Sequence, residues 1–313
     1  MALSSTLSPG KLSIGAVAER TSSSDALARA RQRAALVPDL LVEAQRISNT
    51  VVGGWHGRRR RGIGDTFWQF RPYDRGESMS RIDWRRSARD NAVTVRDQEW
   101  EAAHTVWVWA DNSASMLYQS QLASVSKQSR AVVLALALTD ILARSGERVG
   151  WPGITKPLSA RDSAERIASA LMLADGSSET SFPPTEQVRN RSELVMVSDF
   201  LDPVEETLEK INTIAQQGVR GTMIHIIDPA EENFPYSGRT EFRNPENGRK
   251  LTTGRAETLS GAYKTLFSAR QQAFREHCRR LGWHYLVHHT DDLASTVLVA
   301  AHTRLSGQLE GAA

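Results

Sequence analysis

Thr105-Val-Trp-Val-Trp-Ala-Asp-Asn-Ser-Ala-Ser-Met116 is the stretch on which the reading of this chain turns. Val106 to Ala110 is a continuous apolar run rich in β-branched and aromatic residues, as a strand buried on both faces of a parallel sheet requires. It ends abruptly in Asp111, Ser113 and Ser115, three short oxygen-bearing side chains spaced two apart. Ligand sites in open α/β sheets lie just beyond the carboxyl ends of such strands. A carboxylate and two hydroxyls are hard ligands, so the set suits Mg²⁺ or Mn²⁺ and leaves part of the shell open to water or a partner. The competing reading is a helix start with Ser113 or Ser115 as its cap.

Further along, Leu194 to Ser198 is a second apolar strand, and it ends in Asp199. Two acids, Asp111 and Asp199, thus stand at the carboxyl ends of two buried strands; the alternative for Asp199 is a cap on the following turn. Asp202, ahead of Pro203, Glu205 and Glu206, is the expected N-cap of a helix ending near Gly218. Between and after these strands the pattern alternates. Ala123 to Ser145 reads as a helix closed by Gly146, Arg148 to Ile154 as a strand, and Asp162 to Ala174 as a helix. Glu179 to Arg191 is a Pro-containing loop. Gly221 to Asp228 is a strand, and Phe234 to Thr253 is a β-hairpin insertion turning at Pro245 to Gly248. A helix from Ala256 to Arg280, a strand from Trp283 to His288 and a terminal helix complete the chain. The expectation is an α/β fold, a Rossmann-like sheet flanked by helices over residues 105–313.

Residues 1–24, rich in Ser and Thr, read as a disordered terminus, and residues 25–104 as a helical and β-rich segment. Ser24 to about Asn49 is helical, with Leu36, Leu40, Leu41 and Ala44 on its apolar face and Pro38 dividing it into two short helices. The glycines and aromatics between Val51 and Asp90 predict short strands and turns.

Composition narrows the function classes. The chain has 313 residues, 40% apolar and 24% charged, enough for a substantial core. Its longest helical apolar run, Ala131 to Ala143, is too short to span a bilayer. Cys278 is the single cysteine, which excludes an internal disulfide and a Cys-based zinc site and suits a cytoplasmic protein. Net charge is +3, but Trp55 to Asp90 holds ten Arg against five acids, including Arg58-Arg59-Arg60-Arg61. That run could contact a partner or phosphates. A solvated or acid-paired loop is the stronger reading, because no groove-reading helix accompanies it.

The segment before the cradle then becomes specific. His56-Gly57-Arg58-Arg59, Gly62-x-Gly64-Asp65-x-Phe67, Arg71-Pro72-Tyr73, Gly76-Glu77 and Arg81-Ile82-Asp83-Trp84-Arg85-x-Ser87-Ala88-Arg89 precede Asp111-x-Ser113-x-Ser115-Met116. This ordered string resembles the bacterial DUF58 family, with Glu77 standing where the family usually has aspartate. Asp228-Pro229-Ala230-Glu231, Phe234-Pro235, Gly238 and Phe242 resemble its tail. The resemblance implies a von Willebrand factor A-like domain whose metal-ion-dependent adhesion site uses Asp-x-Ser-x-Ser. Ser113 and Ser115 would bind the metal directly, Asp111 directly or through water, and Asp199 through water. It also implies work beside a MoxR-type AAA+ ATPase. The metal-binding threonine of such a site is expected between Ile154 and Asp162, where the chain offers Thr155, Ser159 and Ser163 without a clear Gly-x-Thr; Thr180 and Thr185 fall in a later loop.

No Gly-x-Ser-x-Gly elbow, Walker A loop, His-Glu-x-x-His or strand-linked Gly-x-Gly-x-x-Gly is present. His284, His288 and His289 lack further ligands for zinc and read as core or surface residues. The expectation is a non-enzymatic interaction module presenting Mg²⁺ or Mn²⁺ to a carboxylate of the ATPase or of a client protein. Nucleic-acid binding through Arg58 to Arg61, and a metal-dependent hydrolase with Ser113 as nucleophile, are the alternatives.

Overall fold

The computed structural model describes residues 23–55, 67–74, 79, 82–90, 93–98, 104–174, 180–189 and 191–310. Arg58 to Arg61, Gly76 and Arg81 lie outside these residues. The chain divides into two units, residues 1–57 with 104–313 and residues 58–103. The first element among the described residues is helix α1, Ser23–Trp55.

The smaller unit pairs β1, Phe67–Pro72, with β2, Thr94–Gln98, in antiparallel register around a bulge at Phe67/Gln69, and α2, Trp84–Asp90, lies between them in sequence. Asp83 and Ser87, two of the signature residues, organise this unit. Asp83 accepts the Arg86 N–H at 3.0 Å at the start of α2. Ser87 Oγ donates to the Asp83 carbonyl at 2.8 Å and accepts the Thr94 N–H at 2.9 Å, fixing α2 to the first residue of β2. The Asp83 bond satisfies a helix-end amide that lacks an intrahelical partner. Trp84 and Arg89 are exposed, Tyr73 is half-buried, and its N–H donates to the Val93 carbonyl at 2.8 Å. Arg71 belongs to β1.

The larger unit is the expected α/β sheet. Its elements are β3 (Thr105–Ala110), α3 (Lys127–Arg144), β4 (Arg148–Trp151), β5 (Thr155–Leu158), α4 (Ser163–Leu173) and β6 (Ser192–Ser198). There follow α5 (Val204–Gln216), β7 (Arg220–Ile227), α6 (Pro229–Asn233), β8 (Thr240–Arg243), β9 (Lys250–Thr253), α7 (Ser260–Leu281), β10 (His284–His289) and α8 (Ala294–Glu310). The strand order is β10-β7-β6-β3-β4-β5, all parallel except β5, a Rossmann-like architecture. Every residue of β6 is buried, as are Val106 to Ala110 of β3, which explains why these strands read as continuous apolar runs instead of alternating ones. Trp107 and Trp109 pack in this core. The insertion forms the β8–β9 antiparallel hairpin, with Gly248 in the left-handed region at φ 67° at its turn.

Two expectations about helix α1 need correction. It runs as one helix through Pro38 instead of breaking there. Val37, Ala44 and Val51, at helical spacing on both sides of the proline, are buried against the core, so packing outweighs the lost backbone bond. The buried face is also shifted from the one expected, for Leu36 is exposed and Leu40 and Leu41 are only partly buried. Gln45 reaches Glu165 on α4 at 2.6 Å, and Ser48 hydrogen-bonds Asp140 on α3, itself paired with Arg144 at 2.8 Å. Among the described residues no helix is long and apolar enough to cross a membrane.

Candidate functional site

Neighbouring strands β3 and β6 set the site. After β3 the chain moves to β4 and β5 on one side, then returns to β6 on the other side of β3 and continues outward to β7 and β10. The β3/β6 boundary is therefore a topological switch point, where connections leave in opposite directions and open a crevice at the carboxyl ends. Asp111 follows β3 and Asp199 follows β6. The ladder extends one residue past β3, the Asp111 N–H donating to the Val197 carbonyl at 2.9 Å.

Around Asp111 the bonds are short and the burial nearly complete. Its Oδ1 accepts the Ser113 N–H at 2.7 Å, and its Oδ2 accepts from Ser198 Oγ at 2.6 Å. Asp111, Ser113 and Ser115 are 1%, 2% and 3% exposed. The chain turns through a short 3₁₀ segment, Ala114–Leu117, which brings Ser113 Oγ and Ser115 Oγ to 3.1 Å. Ser113 stands at the cap position of that turn, yet its side chain makes no capping bond. The two hydroxyls therefore face one another, not the turn. Burial first, then the nearby Asp199, pushes the Asp111 carboxyl up to about 7, while the Ser198 and Ser113 bonds oppose the rise.

Asp199 is held by a buried cation that belongs to the protein. Lys127 Nζ, at the start of α3, lies 2.8 Å from Asp199 Oδ2 and 2.6 Å from Glu231 Oε1, with all three side chains buried. Burial disfavours the ammonium, but Asp199 and Glu231 overcome it and hold Lys127 above its ordinary value. Glu231 is pushed up by burial, against the pull of Lys127. Asp199 also accepts the Leu201 N–H at 3.3 Å, the turn-capping role weighed from the sequence, so it serves both the turn and the lysine.

The hydroxyl residues offered for a metal-binding threonine are engaged locally or exposed. Thr155 Oγ1 is bonded to the Trp151 N–H at 3.0 Å, Ser163 Oγ to the Ala160 carbonyl, and Ser159 is exposed. Thr180, set aside in the sequence as too late, meets Asn112, the residue after Asp111. Its N–H donates to Asn112 Oδ1 at 2.9 Å and its hydroxyl lies 3.4 Å from the same atom. The described part of the connection from α4 to β6 thus reaches the residue that follows Asp111. Asp202 is likewise corrected: α5 is capped by Pro203 without a side-chain bond, and the Asp202 carboxylate accepts from Ser181.

Other candidates scatter. His289 pairs with Glu232 at 2.8 Å, while burial lowers His284 and holds His288 down at about 4. Among the described residues no three His, Cys, Asp or Glu side chains converge to hold a metal, and no histidine hydrogen-bonds Ser113. What the cradle offers instead is a hard donor set of one carboxylate and hydroxyls. The two serine hydroxyls are hydrogen-bonded to each other at 3.1 Å, which keeps both oxygens close together at the end of β3.

Four further participants escape the sequence reading: Ser198, Lys127, Glu231 and Glu246. Ser198 left a trace, as a hydroxyl ending an apolar strand just before Asp199. Lys127 gave none, because a lysine in a first helical turn is ordinarily solvated. Glu231 and Glu246 reach the site across more than a hundred residues, Glu246 Oε1 accepting the Ser115 N–H at 3.0 Å.

No curated protein matches the chain. Solved structures resemble it, two of which are the following. The conserved hypothetical protein BatB from Bacteroides thetaiotaomicron is 17% identical, with 66% of this chain and 100% of that one covered at a TM-score of 0.39. An aerotolerance-related membrane protein from Bacteroides fragilis NCTC 9343, carrying multiple mutations to serines, is 16% identical with the same coverage and TM-score. The family described as "Protein of unknown function DUF58" matches residues 69–273, from β1 through the cradle and the hairpin into α7, and the chain belongs to that family.

Proposed function

We propose that the chain is a non-enzymatic interaction module of the von Willebrand factor A-like type that presents Mg²⁺ or Mn²⁺ to a partner. Asp111, Ser113 and Ser115 are its direct ligands, and Asp199 acts through water because Lys127 already occupies one of its oxygens. The observation that carries this reading is the meeting of a carboxylate and two facing buried hydroxyls at the β3/β6 switch point. The Asp111 carboxyl, raised to about 7 by burial and Asp199, is a group whose ionised form a divalent cation would favour. A carboxylate from a client or partner completes the shell. On the family likeness, the protein works in the cytoplasm beside a MoxR-type AAA+ ATPase.

Calorimetric titration with Mg²⁺ and Mn²⁺ tests the reading. Wild type should take up about one equivalent, and folded Asp111→Ala should take up none. A purified MoxR-type ATPase should then be retained on wild-type protein in Mg²⁺ and released by EDTA. Absence of metal uptake by wild type refutes the cation, and retention indifferent to EDTA and to Asp111→Ala refutes its role in the partnership.

A further inference from the structure

The β8–β9 hairpin does more than decorate the sheet. Its tip places Glu246 Oε1 3.0 Å from the amide of Ser115, one of the two cradle hydroxyl residues. Within Ser115, three covalent bonds separate that amide from Oγ, so the carboxylate is bonded to a residue of the cradle itself.

The tip is built to hold it there. Asn244 is buried, and its Oδ1 accepts the Glu246 N–H at 2.8 Å while its carbonyl accepts the Gly248 N–H at 2.8 Å. The Asn244 N–H closes the loop on the Arg249 carbonyl at 2.8 Å. At the base, Phe242 packs with Phe234 and Ala256, and Tyr236 packs against this cluster. The Tyr236 hydroxyl meets the Tyr118 hydroxyl at 2.6 Å, and Tyr118 is the residue after the 3₁₀ segment that carries Ser115. Both ends of the hairpin are therefore fixed to the chain that forms the cradle. Glu246 itself is an exposed residue, free to be displaced into water.

We propose that Glu246 is a carboxylate the chain itself supplies to the cation site, closing its open side in the free protein, so that an acidic side chain of a partner binds by displacing it. The inference rests on the cation reading above. A carboxylate is the ligand a hard cation accepts at an open position, and a tethered one competes at an effective concentration that a free partner must overcome. The partner is thereby specified as a protein offering Asp or Glu to the crevice.

The test uses the full chain loaded with Mn²⁺ and the variant Glu246→Gln. Glutamine keeps an oxygen able to accept the Ser115 N–H, so the hairpin keeps its seat and only the charge is lost. In Glu246→Gln the Mn²⁺ affinity should fall by about tenfold or more. Water-proton relaxation by the bound Mn²⁺ should rise as water takes the vacated position. Sodium acetate should reverse that rise in the variant at concentrations that leave wild type unchanged. Equal affinity and equal relaxation in both proteins overturn the role of Glu246 while leaving the cation in place. A wild type that binds no Mn²⁺ overturns the cation reading itself, and this inference with it.

Discussion

Replacing Lys127 with methionine isolates the cost of leaving the acids beside the cradle without their cation. The lysine is 0% exposed, and its ammonium lies 2.8 Å from Asp199 and 2.6 Å from Glu231. Methionine fills most of the same volume, so little of the effect comes from a cavity. Removing one partner of a buried ion pair typically costs about 3–5 kcal/mol, because the remaining charge keeps its burial penalty and loses its compensation. Here two carboxylates are stranded, which places Lys127→Met near 5 kcal/mol. With a urea slope of about 3 kcal/mol/M, the unfolding midpoint at neutral pH should fall by about 1.7 M. Adding Glu231→Gln to the variant removes one stranded charge and should recover about half of the loss, though Glu231→Gln alone destabilises wild type. A midpoint within about 0.3 M of wild type for Lys127→Met would refute the argument. So would a double variant no more stable than the single one.

Two further outcomes follow from groups away from the cradle. Glu193, near the amino end of β6, is buried, accepts no hydrogen bond among the described residues, and has Arg220 at 3.6 Å. Burial pushes it up to about 7 from 4.5 against the pull of Arg220, with Glu147 adding to the rise. A carboxyl raised on folding gives stability that is complete below pH 4.5 and lost as pH rises through 7. Glu193→Gln should therefore match wild type near pH 4.5 and exceed it by about 2–3 kcal/mol at pH 8, as measured by urea unfolding across that range. An unchanged difference at the two pH values counts against it. At Gly221 in β7, a Cβ would come within 2.2 Å of the Trp283 ring. Gly221→Ala must push that indole off its bond to the Val219 carbonyl and should cost about 1–3 kcal/mol, read as a lowered Tm and a shifted tryptophan emission. An unshifted Tm would mean the ring moves freely.

The sheet was legible because its strands are buried on both faces and carry little but apolar residues, and because glycines such as Gly146 and Gly282 stop the helices where backbone must turn left-handed. Asp111, Ser113, Ser115 and Asp199 were legible for a related reason: short polar residues follow those strands directly, and strand ends in a parallel sheet point to one edge. What escaped depends on which residues the connections bring to that edge. Thr180 arrives from a loop whose path no local pattern specifies, and Lys127 is solvated or buried according to what Glu231, over a hundred residues later, places beside it. Pro38 was misread for a complementary reason. A local rule for breaking helices was outweighed by the packing of Val37, Ala44 and Val51 in the core of the larger unit.

The same contacts explain why the cradle can be stiff although it sits on a loop. The segment from Asp111 to Lys127 is fixed to β6 through the Ser198 hydroxyl, and to the start of α6 through the Ser120 N–H, which donates to Asp228 Oδ2 at 2.9 Å. Asp228 and Glu231 form a capping box on α6, and Glu231 turns its other oxygen to Lys127. The Tyr118–Tyr236 bond and Glu246 tie the segment to the hairpin. Each fastening comes from a different element, so the two serine hydroxyls are held before any ligand arrives, and ordering them costs little at binding. A loop fastened in this way loses its preorganisation when one fastening goes, even where the proposed cation ligands themselves are intact. Affinity for a cation should thus depend on Tyr236 and Asp228 as well as on Asp111, in proportion to how far each restrains the turn between Ser113 and Ser115.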